Sequence, residues 1–480
     1  MSFSGLRSRL VSGSLWAVAG EVVAGGARAL SSLVYAKLLS PTDFGLIGFA
    51  LLLINFFPLV VDNSLSLALM RQPQDDQRAY STIFYLNVAL SIAAIGLLFL
   101  VAPGAARVLH DRRVTVIIPI LGIQLLFNAL CSVHIAAARR QFRYRRLVPV
   151  RLISTAFSLG VGIPLAFHGY SYWSLLAGSI ASALSQMVAA QLLLGWRPAL
   201  RFDWAAAKDF SGFASWVAVD MGVTWMVMSG GGFFLAYFLG AHDLGLFQLS
   251  DRIDTYVLGS LLGPLIPVLY AGFCEVSAES GAGWRLFERS IEVLTPISLA
   301  VAGMIVVAAR PLEALFGPKW HGVADVMALN AIADGISYTI LPAPSLLRAY
   351  GLAKIVAGMR LATVAAQIVI YMRLAPYGLM AFMYGKLILE VAIYAGSLLV
   401  LRAVFRQPVM RTMGRQLGQL VIAAVCTLLG VIAATASLGL GPPIATTVGL
   451  AIFAIPLGAY LFLTQRELLT SMFERWAATR

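Results

Sequence analysis

The sequence predicts an all-α, polytopic membrane protein of about fourteen transmembrane helices. Two observations carry this. Of the 480 residues, 60% are hydrophobic and only 12% charged, about half the charged share of a soluble chain. Apolar runs of roughly 20 residues, the length that crosses a bilayer as a helix, follow one another almost without pause. The expected spans are 11–36, 44–70, 79–103, 114–138, 147–167, 171–195, 210–239, 245–273, 287–309, 321–346, 352–372, 377–401, 416–438 and 444–464.

The first run is too long for a signal peptide and lacks an A-x-A cleavage site, so it is kept as a mature span. Span 2 is interrupted by Pro58. Span 7 carries "SGGG" at Ser229–Gly232, expected to weaken it. Span 8 contains "GPLIP" from Gly263 to Pro267, and span 10 contains "PAP" from Pro342 to Pro344. Proline removes a backbone hydrogen bond and clashes with the preceding turn. Such breaks persist in membranes where neighbouring helices or cavity water satisfy the freed carbonyls. They serve either as packing kinks or as hinges. The loops between spans are short, and none has room for a soluble catalytic domain.

The formal charge of +13 is a topology signal. With the N-terminus inside, most of the 35 Lys and Arg fall on one side. These include Arg139, Arg140, Arg143, Arg145, Arg146 and Arg151, together with Arg348, Lys354 and Arg360. The positive-inside rule then places both termini in the cytoplasm. The run "RRQFRYRR" fits a surface against anionic lipid better than an RNA site. Cys131, Cys274 and Cys426 are scattered and read as small hydrophobes.

The chain repeats at an interval of about 200 residues. "SGSLWAVAGE" at Ser12 returns as "SGFASWVAVD" at Ser211, and "LLSPTDFGL" at Leu38 as "FLGAHDLGL" at Phe238, so that Asp43 matches Asp243 and Gly45 matches Gly245. Six spans per copy is an even number, so the copies are parallel, a recurring transporter plan. This divides the chain into an N-lobe (1–205), a C-lobe (206–401) and two appended C-terminal helices (402–480).

Several charges fall inside the hydrocarbon. Glu21 and Arg28 are seven residues apart, nearly two helical turns, and share a face of span 1. Lipid exposure would be costly, so that face is expected to point into a watery cavity. Asp62 in span 2, Asp220 in span 7, and Asp251, Arg252 and Asp254 in span 8 join them; Asp251 and Arg252 become loop residues if that helix begins later. Lys386 and Glu390 at i,i+4 suggest a structural ion pair. Asp325 and Asp334 lie in span 10, Asp325 near its outer end. His134 reads as an interfacial or packing residue rather than a proton relay. There is no GxxxxGK[ST], no HExxH, no GxSxG and no metal-spaced His/Cys cluster.

The stretch "AKLLSPTDFGLIGFA" after span 1, "LFGPKW" at Leu315–Trp320, the "LLRAYGLAK" loop and the twelve-plus-two plan resemble the Wzx-type oligosaccharide-lipid flippases. These are polysaccharide transporters of the multidrug/oligosaccharidyl-lipid/polysaccharide (MOP) exporter superfamily. The loop "FCEVSAESGAGW" departs from the family pattern in lacking its proline-rich start. The resemblance covers nearly the whole chain. It implies alternating-access transfer of an undecaprenyl-diphosphate-linked oligosaccharide across the bacterial inner membrane, for O-antigen, capsule or exopolysaccharide synthesis, beside a polymerase and chain-length machinery. By span position it implies that Arg28 and Arg252 hold the diphosphate. Glu21, Asp62, Asp220 and Asp251 then brace the arginines or take a coupling proton or sodium ion; no other cofactor or metal is expected. A multidrug or cation exporter of the same architecture is the alternative, with an acidic, aromatic pocket. A membrane polymerase or glycosyltransferase is a further one, which usually needs a large outer loop that this chain lacks.

Overall fold

The computed structural model describes residue 20 and residues 23–62, 77–141, 143–199, 202–277, 281–407 and 409–464. Glu21 lies outside them, as does the side chain of Asp62. The described residues are helical, with no strand among them. Among the described residues twelve helices are long and apolar enough to cross a membrane, counting Val217–Val276 as one.

Helix α1 (23–38) leads into α2 (Pro41–Ile54) through a tight cap. Ser40 is the N-cap, Pro41 follows it, and the Asp43 carboxylate returns to the Ser40 N–H at 3.0 Å. This capping box satisfies donors that lipid would leave orphaned. Ser171 Oγ donates to the other Asp43 oxygen at 2.5 Å, tying a distant loop to the same carboxylate. After α2 the chain makes a π-turn at Pro58–Asp62, as the proline lets the preceding ladder slip. There follow α3 (Gln77–Leu109), α4 (Val114–Arg140), α5 (Tyr144–Phe167) and α6 (Tyr172–Leu194).

Helix α7 (Trp204–Asp254) runs 51 residues and turns on Gly240, at φ 81°, ψ −168°, where the expected spans 7 and 8 meet. It ends in a π-turn at Thr255–Gly259 and a break at Gly263–Pro264 before α8 (Leu265–Val276). The helix also breaks ahead of Pro342. It does not break at "SGGG", contrary to expectation. Those glycines admit neighbours instead: a Cβ on Gly232 would lie 2.5 Å from Leu52 Cδ1, and one on Gly231 3.2 Å from the Phe382 ring.

The remaining helices are α9 (Ala282–Phe316), α10 (Val323–Thr339), α11 (Pro342–Ala349), α12 (Ala353–Leu374), α13 (Leu379–Phe405), α14 (Val409–Ala436) and α15 (Pro442–Thr464). Leu100, Leu192 and Ile455 are 80%, 76% and 71% exposed. Apolar faces of this extent suit lipid as solvent.

The chain divides into two compact units, one of residues up to Tyr256 plus Arg360–Phe382, the other of Val257–Met359 plus Met383 onward. In the first, α5 packs on α6, α3 on α4, and α2 on the second limb of α7. The last contact is reciprocal. A Cβ on Gly45 would lie 1.8 Å from the Ala241 carbonyl oxygen, and one on Gly245 1.7 Å from that of Pro41. Repeat-matched positions thus face each other where the two helices begin. In the second unit α9 packs against α10, α14 and α15. The "LFGPKW" motif is its corner: Phe316 and Trp320 are buried, Gly317 takes φ 92°, and Glu313 accepts from the Ala324 N–H at 2.8 Å, capping α10.

Candidate functional site

The cavity that matters lies wholly in the first unit. It encloses about 360 Å³ and is lined by α1, α4, α5 and α6. Helical spacing builds it. On α5, Leu147, Arg151, Thr155 and Ser158 recur every three or four residues and so share one face. Ile135 and Arg139 on α4, and Ser182 and Gln186 on α6, are each one turn apart. Arg28 on α1 completes the ring. The described lining therefore carries three guanidinium groups, five neutral polar side chains and no carboxylate.

Arg28 is half-buried and held in place. Its Nε donates to the Ala24 carbonyl at 3.2 Å, and its Cζ lies 5.1 Å from the centroid of the Tyr256 ring. A cation over an aromatic face gains from the ring quadrupole without giving up its in-plane donors. Arg139 and Arg151 are accessible from the cavity side. The sequence counts both among the basic residues of one side of the membrane, and the structure adds that both line the chamber. For Arg151 a signal existed, because it falls inside the expected span 147–167.

A second chamber of about 490 Å³ adjoins the first and shares Ile135, Arg139 and Gln186 with it. Its other walls include Asn55 and Pro58 of the broken end of α2, Asn128 and Ser132 of α4, and Trp225 and Ser229 of α7.

The remaining charges are placed differently from one another. Arg252 is half-buried with its Cζ 5.5 Å from the Phe44 ring centroid and is not part of the arginine chamber's lining. Asp251 is half-buried one residue before it and lines neither chamber. Asp220 is paired: Arg360 Nη1 donates to its Oδ1 at 2.8 Å and to Thr224 Oγ1 at 2.7 Å. Of the two roles expected for Asp220, bracing an arginine or taking a coupling ion, its geometry has the form of the first, with Arg360 as the arginine. Lys386 bonds across helices to Asp334 at 2.7 Å and Asn330 at 2.5 Å, with Glu390 beside it, so the sequence-local pair widens into a cluster. Asp325 meets Arg310 at 2.7 Å in an exposed pair. His134 is buried against Trp196 and Phe84, a packing role.

Apolar helices thus surround a chamber whose described lining is cationic. The chain belongs to the family described as "Polysaccharide biosynthesis protein", whose model matches residues 34–325. It is 21% identical to the succinoglycan biosynthesis transport protein ExoT of Rhizobium meliloti (strain 1021), over 67% of this chain and 65% of that one. It is 22% identical to the lipopolysaccharide biosynthesis protein WzxC of Escherichia coli (strain K12), over 72% and 70%. The chain thus spans about two thirds of the length of these relatives. In fold it is similar to the lipid II flippase MurJ in an inward closed conformation, with TM-score 0.76, 10% identity, and 95% and 100% of the two chains covered. It also resembles an inward-facing multidrug resistance MATE family transporter of the MOP superfamily, with TM-score 0.61, 12% identity, and 84% and 99% covered.

Proposed function

We propose that this protein transfers a polyprenyl-diphosphate-linked oligosaccharide from the cytoplasmic to the outer leaflet of a bacterial inner membrane. The observation that carries the reading is the convergence of Arg28, Arg139 and Arg151, from three helices, on one chamber. A sugar diphosphate cannot enter hydrocarbon without losing the water around its charges and hydroxyls. Guanidinium forks match phosphate oxygens in pairs and replace that water. The serine, threonine and glutamine side chains beside them extend the same service to neutral oxygens. An acidic pocket for cationic drugs would need the opposite sign.

Transport proceeds by alternating access, with the prenyl tail remaining in lipid. Both termini face the cytoplasm, where the basic loops lie. A head with two negative charges leaving a negative interior gains roughly 4–5 kcal/mol at about 100 mV. The membrane potential is thus a sufficient drive, with a proton or sodium ion as the alternative. A polymerase and chain-length regulator receive the product.

The test is export in a deletion strain. Arg28→Ala, Arg139→Ala and Arg151→Ala should each lower surface polysaccharide about 10- to 100-fold, the worth of one charge-assisted hydrogen bond, while the protein still inserts. Arginine-to-lysine variants should retain part of the activity. Undiminished export by the triple alanine variant would refute the reading.

A further inference from the structure

We infer that the second chamber is the subsite for the first sugar of the carried glycan, the residue bonded directly to the diphosphate. The inference rests on the diphosphate reading above. It adds a place where the transporter reads the sugar itself.

The chamber is contiguous with the arginine chamber through Arg139 and Gln186, so a group seated in it adjoins a phosphate held by Arg139. Its volume of about 490 Å³ lies within the ~300–1,000 Å³ usual for small-molecule sites. Its chemistry differs from its neighbour's. Among the described residues Arg139 is its single cation, a poorer phosphate seat than its neighbour with three. Asn55, Asn128, Gln186 and Ser229 line it, so an acyl chain would leave amides without partners. Among the described residues the Asn55 and Asn128 side-chain amides make no hydrogen bond to protein. Each amide offers two donors and a carbonyl, the set that vicinal sugar hydroxyls need.

Trp225 supplies what amides cannot. Its indole is fixed by an Nε1 donation to the Leu52 carbonyl at 3.2 Å. Edge contacts with Phe56 and Phe233, at centroid distances of 5.0 and 5.3 Å, hold it from two sides. The N–H is spent on the backbone, and what remains for the chamber is carbon surface. A pyranose has both kinds of surface, C–H groups on one face and hydroxyls round the rim. A rigid aromatic beside free amides matches that division.

The experiment uses full-length protein in nanodiscs and three probes: bare undecaprenyl diphosphate, and the same carrier bearing one hexose or one N-acetylhexosamine. Wild type should bind at least one glycosylated probe about tenfold tighter than the bare carrier. Trp225→Ala should abolish that gap while leaving bare-carrier binding within about twofold. Asn128→Ala, which leaves the aromatic cluster intact, should narrow it. Arg151→Ala should weaken all three probes together. If wild type binds the bare carrier but shows no gap with either sugar, or if both Trp225→Ala and Asn128→Ala keep the gap, the subsite is overturned. If wild type binds none of the probes, the diphosphate reading falls first and takes the subsite with it.

Discussion

Replacing Lys386 with methionine should destabilise the protein sharply, and the structure sets the scale. Its ammonium lies 2.7 Å from Asp334, with the two side chains 11% and 21% exposed. At an effective dielectric of about 20 the gross attraction is about 6 kcal/mol. Desolvation consumes much of it, so the pair's net worth is small. Removing one partner is another matter, because the other charge stays behind; the usual cost is about 3–5 kcal/mol. Here two carboxylates stay behind, Asp334 and the neighbouring Glu390. The assay is thermal unfolding in detergent followed by tryptophan fluorescence, with gel filtration to confirm a single species. Lys386→Met should melt well below wild type, and Asp334→Asn added to it should recover part of the loss, since Asp334 then leaves with its partner while Glu390 stays. A single variant indistinguishable from wild type, or a double variant as unstable as the single, would refute the argument.

Three other substitutions probe the charges around α7 and α3. Asp220→Asn should cost roughly 1 kcal/mol, and Arg360→Gln should cost no more once Asp220 is gone, as a double-mutant cycle reads for a half-exposed pair; additive losses would show that the two do not act as a unit. At the α3–α4 turn the hydrogen bond from Arg113 holds the Asp111 carboxyl below its ordinary range. A depressed carboxyl stabilises the fold above its usual titration range and ceases to as the pH falls through its lowered value. Asp111→Asn should therefore melt slightly below wild type at neutral pH, by under about 1 kcal/mol, and match it in strong acid, as melts across a pH series would show.

What could be read beforehand depended on how local its cause was. The capped start of α2 has a local cause in "SPTDFG", where Ser40 and Asp43 bond to each other, although the Ser171 hydroxyl joins them from 128 positions away. Arg28 was legible because apolar residues flank it on both sides. Arg139 and Arg151 were hidden by company: each stands near a cluster of basic residues at a span end, where charge counting reads topology and not cavities. Arg360 lies within the expected span 352–372, yet its partner Asp220 is 140 positions away, a distance no periodicity bridges. The glycines of "SGGG" read as weakness because helix propensity penalises them. In this fold the Leu52 and Phe382 side chains occupy the space they leave, and close packing offsets the penalty.

The meeting of Gly45 with Ala241 and of Gly245 with Pro41 couples two stretches of chain that lie far apart in sequence. A bulkier residue arising at either glycine would push on the backbone of the opposite helix, so each position limits what the other helix can become. Neither glycine is free to vary alone, and an enlargement at one would have to be met by a retreat of the whole crossing.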